Sequence, residues 1–235
     1  MKKVYVEFNG LPGCGKSTLC QEIRQKLAAS IPVIMLDQKK GAEPKGLPHF
    51  LGQLFSAAIH GQAGMIWDYL LFTLKLPKGT SRRWTCFYSS VRDYCVTLRC
   101  FRQEKQGVFL CDQGIMQHFL SGFFDQQPQT GMKAAQRIMR RAERDFSPFL
   151  EINLNLEPVI SLERMAGRKE KASRLERLAP EEAAHTMMQQ HWILTGLRKN
   201  LCDPDHTMEA DALELPSENA DLIVRRILKG MREAK

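Results

Sequence analysis

Short runs of β-branched, aromatic and aliphatic residues alternate along this chain with longer stretches whose apolar positions recur every three or four residues. The first run, residues 3–9, stops at Gly10 and predicts a strand. Leu19, Ile23 and Leu27 then fall at i, i+4 and i+8, the stripe of an amphipathic helix. Residues 32–36 predict a second strand, buried on both faces, with Asp37 at its carboxyl end and a loop over 38–47. Helical patterns cover 48–60, 64–76 and 86–105, with Pro77 and Gly79 marking a second polar loop at 77–83. Residues 107–112 read as a third strand that ends in the carboxylate of Asp112. Residues 149–156 form a fourth, after which Glu157-Pro158 opens a helix. A weak fifth strand spans 206–210, and 217–233 has the pattern of a terminal helix.

Strands separated by helices imply βαβ crossovers. The expected architecture is therefore α/β: one domain over 1–235, a parallel sheet of about five strands, and helices on both faces. The loops at 38–47 and 77–83 would be insertions at one rim of the sheet, where open α/β folds bind ligands.

Composition removes several alternatives. The chain has 235 residues, 43% hydrophobic and 26% charged, which excludes wholesale disorder. No stretch approaches the ~18 uninterrupted apolar residues of a membrane helix, and mean hydropathy is −0.32. Glu7 and Asn9 break up any signal-peptide core, so a cytoplasmic location is expected. The seven cysteines are odd in number and form no CxxC pair, which suggests buried thiols rather than disulfides or a zinc ribbon. A net charge of +8 favours an anionic partner, either nucleic acid or a phosphorylated small molecule.

The densest chemical signal is Gly10-Leu11-Pro12-Gly13-Cys14-Gly15-Lys16-Ser17, followed by Thr18, which fits G-x-x-x-x-G-K-[ST] at every fixed position. Glycines there let successive backbone N–H groups wrap a phosphate, and the helix that follows aims its positive end at the same anion. Lys16 can reach β- and γ-phosphates, while the Ser17 hydroxyl can ligate Mg²⁺. Asp112, at the end of an apolar strand, is placed to hold the same ion, or else to cap a helix starting at Gln113. Residues 164–177 carry six basic and two acidic side chains. Arg164, Arg168 and Lys171 are spaced to share one helix face, as in a lid that clamps phosphoryl oxygens. Lys171 and Arg177 are assigned to its solvated side. Arg137, Arg140, Arg141 and Arg144 read as a solubilising helix face, and His185 and His191, among Met187, Met188 and Trp192, as core packing.

The order of these features resembles the P-loop nucleoside and nucleotide kinases, most of all the thymidylate kinase group. The phosphate loop carries that likeness, with the Asp112 strand, the segment 150–178 and the tail 203–229. The resemblance implies a P-loop NTPase fold, ATP and Mg²⁺ as cofactors, and γ-phosphoryl transfer to a nucleoside monophosphate or nucleoside. It also implies lid arginines at Arg164 and Arg168, and an acceptor or its base held by Asp37. Arg82, Arg83, Trp84, Tyr88 and Arg92 would shape the acceptor pocket. Three departures bear on the substrate: Pro12 stands where the group carries Asp, Gln113 replaces the Arg after Asp112, and Asn9-Gly10 replaces Glu-Gly. A kinase of another metabolite, a hydrolysing NTPase and a non-catalytic nucleotide sensor stay open. Membrane and nucleic-acid partners are not expected, and homodimerisation is left open.

Overall fold

The computed structural model describes residues 3–42, 46–76, 80–123, 131–168 and 174–233. Five strands, β1 (Lys3–Asn9), β2 (Val33–Met35), β3 (Gly107–Cys111), β4 (Phe149–Asn155) and β5 (Thr207–Asp211), form one all-parallel sheet in the order β2-β3-β1-β4-β5. Ten α-helices surround it among the described residues: α1 (Lys16–Leu27), α2 (Leu36–Ala42), α3 (Leu47–Ala57), α4 (Ala63–Lys75), α5 (Thr80–Gln103), α6 (Ile115–Gly122), α7 (Met132–Asp145), α8 (Pro158–Ala166), α9 (Pro180–Leu201) and α10 (Pro216–Glu233).

The central strands are apolar on both sides because both faces are covered. On one side Val4, Val6, Phe8, Leu110 and Ile152 meet the predicted stripe of α1, Leu19, Ile23 and Leu27, together with Ile223 and Ile227 of α10. On the other, Tyr5, Phe109 and Phe149 pack under α4, α5, α6, α7 and α9, with Tyr5 stacked on Phe146 at 4.7 Å. Because the strands run parallel, all their carboxyl ends lie at one edge, and the phosphate loop leaves β1 there.

Four expectations are corrected. The second strand is a three-residue edge strand, half-buried rather than covered on both faces, because its outer side has no neighbour. Leu36 and Asp37 belong instead to α2, so residues 38–42 are helical rather than loop; 43–45 lie outside the described residues. Residues 80–83 are the start of α5, and 77–79 lie outside the described residues. The basic segment 164–177 is not one helix. α8 ends at Ala166, and a short 3₁₀ turn forms at Arg174–Arg177.

The arginine face of α7 has a structural use. Arg137 and Arg141 reach the buried carboxylate of Asp68 on α4 at 2.6 and 3.5 Å, joining the two helices. None of the seven cysteines is in a disulfide, and Cys14, Cys20 and Cys111 are buried as expected while the other four are half-buried. Of the aromatic and methionine cluster on α9, only Met187 is core; Met188 and Trp192 are more than half exposed.

Candidate active site

Residues 10–15 turn between β1 and α1 with Gly13 and Gly15 both at φ 93°, a left-handed conformation that glycine adopts without strain. Gly13 is also fixed by space, since a Cβ there would stand 2.7 Å from the Ser161 carbonyl oxygen of α8. The Ser161 hydroxyl donates to the Pro12 carbonyl, so α8 buttresses the loop from outside. α1 starts at Lys16 with no side-chain cap and no acidic residue in its first turn. Its leading N–H groups and positive dipole end therefore remain available to an anion. The Lys16 ammonium folds back onto its own loop, donating to the carbonyls of Gly10 and Leu11 at 2.8 and 3.0 Å.

Arg198 of α9 holds the base of this loop. Its guanidinium donates to the carbonyls of Asn9 and Leu154 and to the Asn155 side chain, tying the carboxyl ends of β1 and β4 together. Beneath lie two buried carboxylates on adjacent strands, Glu7 and Glu151, which are in register with each other. Glu7 accepts the N–H of Met116 at 2.7 Å and the Tyr5 hydroxyl at 3.0 Å, so a strand residue caps the start of α6. Burial and the neighbouring Glu7 push the Glu151 carboxyl up to about 7.

Ser17 and Asp112 come together as expected, the hydroxyl donating to the Asp112 carboxylate. Asp112 does not cap α6, which begins at Ile115 behind Gly114, and the capping alternative is withdrawn. A hydroxyl and a carboxylate oxygen at the mouth of a phosphate loop are hard donors of the kind Mg²⁺ takes alongside nucleotide phosphates, so the residues fit that ion. Asp37 joins the same cluster from α2: its Oδ2 accepts the backbone N–H of Asp112 at 2.7 Å. Its Oδ1 faces Lys40, a buried lysine at 3.3 Å that also donates to the Gln113 carbonyl at 2.7 Å and the Cys111 sulfur at 3.0 Å. Burial disfavours that ammonium, but Cys111 and Asp37 more than offset it, so Lys40 is held charged above its ordinary range.

Loop, helix start and Asp112 border a cavity of about 340 Å³ whose far wall is Gln113, Gln117, Ser121, Arg168 and Gln190. Gln190 is 4% exposed, and its Oε1 lacks a hydrogen-bond partner. Arg168 thus lines the same cavity as the loop. Arg164 does not: its guanidinium donates to the Ala212 carbonyl at 3.0 Å, on the loop after β5. The two arginines lie on either side of the end of α8, which is why they do not share a face. Lys171 lies outside the described residues, and Arg177 is exposed.

Of the residues expected to form an acceptor pocket, Tyr88 receives the Gly46 N–H and Arg92 pairs with Asp93 at 2.8 Å. Arg83 donates to the Leu76 carbonyl, Trp84 is 56% exposed, and the Arg82 side chain lies outside the described set. Lys40, Glu7, Gln190 and Arg198 were not anticipated. A charged residue inside an otherwise apolar strand marks Glu7, whereas Lys40 carries no signal once 38–47 is read as a loop.

No known family profile and no curated protein matches the sequence. Among solved structures, a shikimate kinase from Bacteroides thetaiotaomicron is 16% identical, covers 96% of this chain and 97% of its own, and superposes with a TM-score of 0.52. A deoxyadenosine kinase from M. mycoides, solved with dCMP and a flexible dCDP bound, is 14% identical over 96% of this chain and 99% of its own, with a TM-score of 0.50. At such identities the likeness concerns architecture. Among the described residues, no helix is long and apolar enough to cross a membrane. The chain has the α/β fold of the P-loop kinases of small molecules.

Proposed function

We propose that the protein transfers the γ-phosphoryl group of ATP to a small acceptor, a nucleoside or nucleoside monophosphate, with Mg²⁺. The observation that carries this reading is the convergence of Lys16, the Ser17–Asp112 pair and Arg168 on one cavity, with Asp37 hydrogen-bonded to Asp112. Phosphoryl transfer needs in-line positioning and neutralised charge more than covalent chemistry. The loop N–H groups would hold the β-phosphate, and Lys16 would leave its own carbonyls for the β- and γ-oxygens. Ser17 and Asp112 would hold Mg²⁺, which supplies charge neutralisation at the phosphates. Arg168 would meet charge on the transferring group, and Arg164, bonded to Ala212, would border the nucleotide's base end. Asp37 is oriented by Lys40 and by the Asp112 N–H, which suits it to hold an acceptor hydroxyl and take its proton.

Gln113 lies in the cavity wall beside Asp112, a place from which it could orient water instead, and this favours nucleotide hydrolysis as a second reading. A coupled ADP assay over nucleosides, nucleoside monophosphates and small alcohols separates them. Acceptor-dependent ADP release supports the kinase; release indifferent to every acceptor supports the hydrolase and refutes the transfer reading.

A further inference from the structure

A second cavity, of about 660 Å³, opens between α3 and the carboxyl-terminal half of α5. It shares no lining residue with the phosphate-loop cavity. It also lies toward the opposite edge of the sheet: α5 runs back from the phosphate-loop edge, and Lys3, at the amino end of β1, donates to the Phe101 carbonyl at 2.6 Å. Its volume falls in the roughly 300–1,000 Å³ range of small-molecule sites.

Its lining shows what it would take. Arg99 and Arg102, one turn apart on α5, line the space beside His49 and His60, and no carboxylate lines it among the described residues. Arg102 is oriented by the Gln62 amide, whose oxygen accepts from its guanidinium at 3.0 Å when the amide is turned to suit both neighbours. Gln53 is 8% exposed and approaches His49 at 3.0 Å through Nε2, while its Oε1 has no hydrogen-bond partner. A buried amide oxygen without a partner is costly unless a ligand or water supplies a donor. Gly52 sits in the middle of α3, where glycine weakens a helix relative to alanine, yet a Cβ there would meet nothing within 4 Å. Protein packing therefore does not call for glycine at 52, and a side chain larger than alanine there would project into the groove. Pro48, Ala57 and Leu98 supply apolar surface for a ring.

We propose that this groove is a binding site for a ring-bearing organic anion such as a phosphate monoester. Arg99 and Arg102 hold the anionic group, and Gln53 accepts a hydrogen bond from the ring or its substituents. Calorimetric titration of the full chain tests it, with Mg²⁺ and a non-hydrolysable ATP analogue saturating the phosphate loop. Phenyl phosphate is the probe, and inorganic phosphate and phenol are the charge-only and ring-only controls. One phenyl phosphate should bind per chain, about tenfold or more tighter than either control. Gly52→Leu, which fills the groove, and the double change Arg99→Ala/Arg102→Ala should each weaken it about tenfold, while Gly52→Ala retains binding. Circular-dichroism melts establish that the variants fold. Absence of phenyl phosphate binding, equal affinity for inorganic phosphate, or unchanged binding in both groove variants would overturn the proposal. The titration reads the groove even if the ATP analogue fails to bind, so this inference and the kinase reading stand or fall separately.

Discussion

Lys40 is the residue whose removal distinguishes a built active-site cluster from an accidental one. Its side chain is 8% exposed and its ammonium joins Asp37 on α2, the Cys111 sulfur and the Gln113 carbonyl, linking the carboxyl ends of β2 and β3. Lys40→Met keeps the length of the side chain and removes the charge. Breaking a buried ion pair from one side costs about 3–5 kcal/mol, because the partner charge stays behind uncompensated. Asp37 keeps 31% exposure and the Asp112 N–H, so the lower end applies, about 3 kcal/mol. For a chain of this size that is a fall of about 6–12 °C in melting temperature. Adding Asp37→Asn removes the stranded charge, so the double variant should be less destabilised than the sum of the singles, with a coupling of about 1–3 kcal/mol by urea unfolding. The folded-state pKa of Lys40 is raised, so its contribution is complete below the unfolded value of 10.5 and is lost only above it. The coupling should therefore be constant from pH 6 to 9. Strictly additive singles, or a Lys40→Met loss below about 1 kcal/mol, would show that the ammonium does not hold Asp37.

Three further outcomes are expected. Lys16→Ala should lower phosphoryl transfer about 10²–10³-fold, by the scale of one preorganised donor, and leave the melt nearly unchanged because its bonds are to its own partly exposed loop; a coupled ADP assay at full activity would refute the phosphate-loop reading. Arg168→Ala should lower kcat by a similar factor with little change in the KM for ATP, whereas Arg164→Ala, which loses the Ala212 contact, should act mainly on KM; identical profiles for the two would refute the division of roles. Glu151, raised from 4.5 to about 7, keeps its proton in the fold below about 7, so its contribution to stability is lost as pH rises from about 4.5 to 7, roughly 3 kcal/mol in all. His118, lowered from 6.5 to about 4 by burial, has the opposite slope between those values, so the two oppose each other below pH 6.5. Glu151→Gln should therefore be more stable than wild type at pH 8 and gain stability from pH 4.5 to 6.5 in urea titrations; parallel profiles for variant and wild type would refute the shift.

The parts of this molecule that could be read from the sequence are those fixed by local pattern. The apolar runs of β1, β3 and β4 are buried on both faces, and a strand in that position is mostly apolar, with Glu7 and Glu151 as the charged exceptions. The phosphate loop was equally legible, because its glycine conformations and helix start are set within eight residues. β2 was misjudged because an apolar run looks the same at a sheet edge as at its centre, and only the strand order places it at the edge. Lys40 was invisible for a related reason. Its partners are Asp37, three residues away, and Cys111 and Gln113, more than seventy residues on, so the fold has to bring β2 beside β3 before the charge acquires a use. Arg164 and Arg168 show the converse error, where correct helical spacing was carried past the end of a helix. Gly167 closes α8 between them, and one guanidinium turns to Ala212 while the other borders the phosphate-loop cavity. Spacing along a helix assigns a shared face only as far as the helix continues, so Arg164, held on α8 against the Ala212 carbonyl, cannot share a lid role with Arg168 at the phosphate-loop cavity.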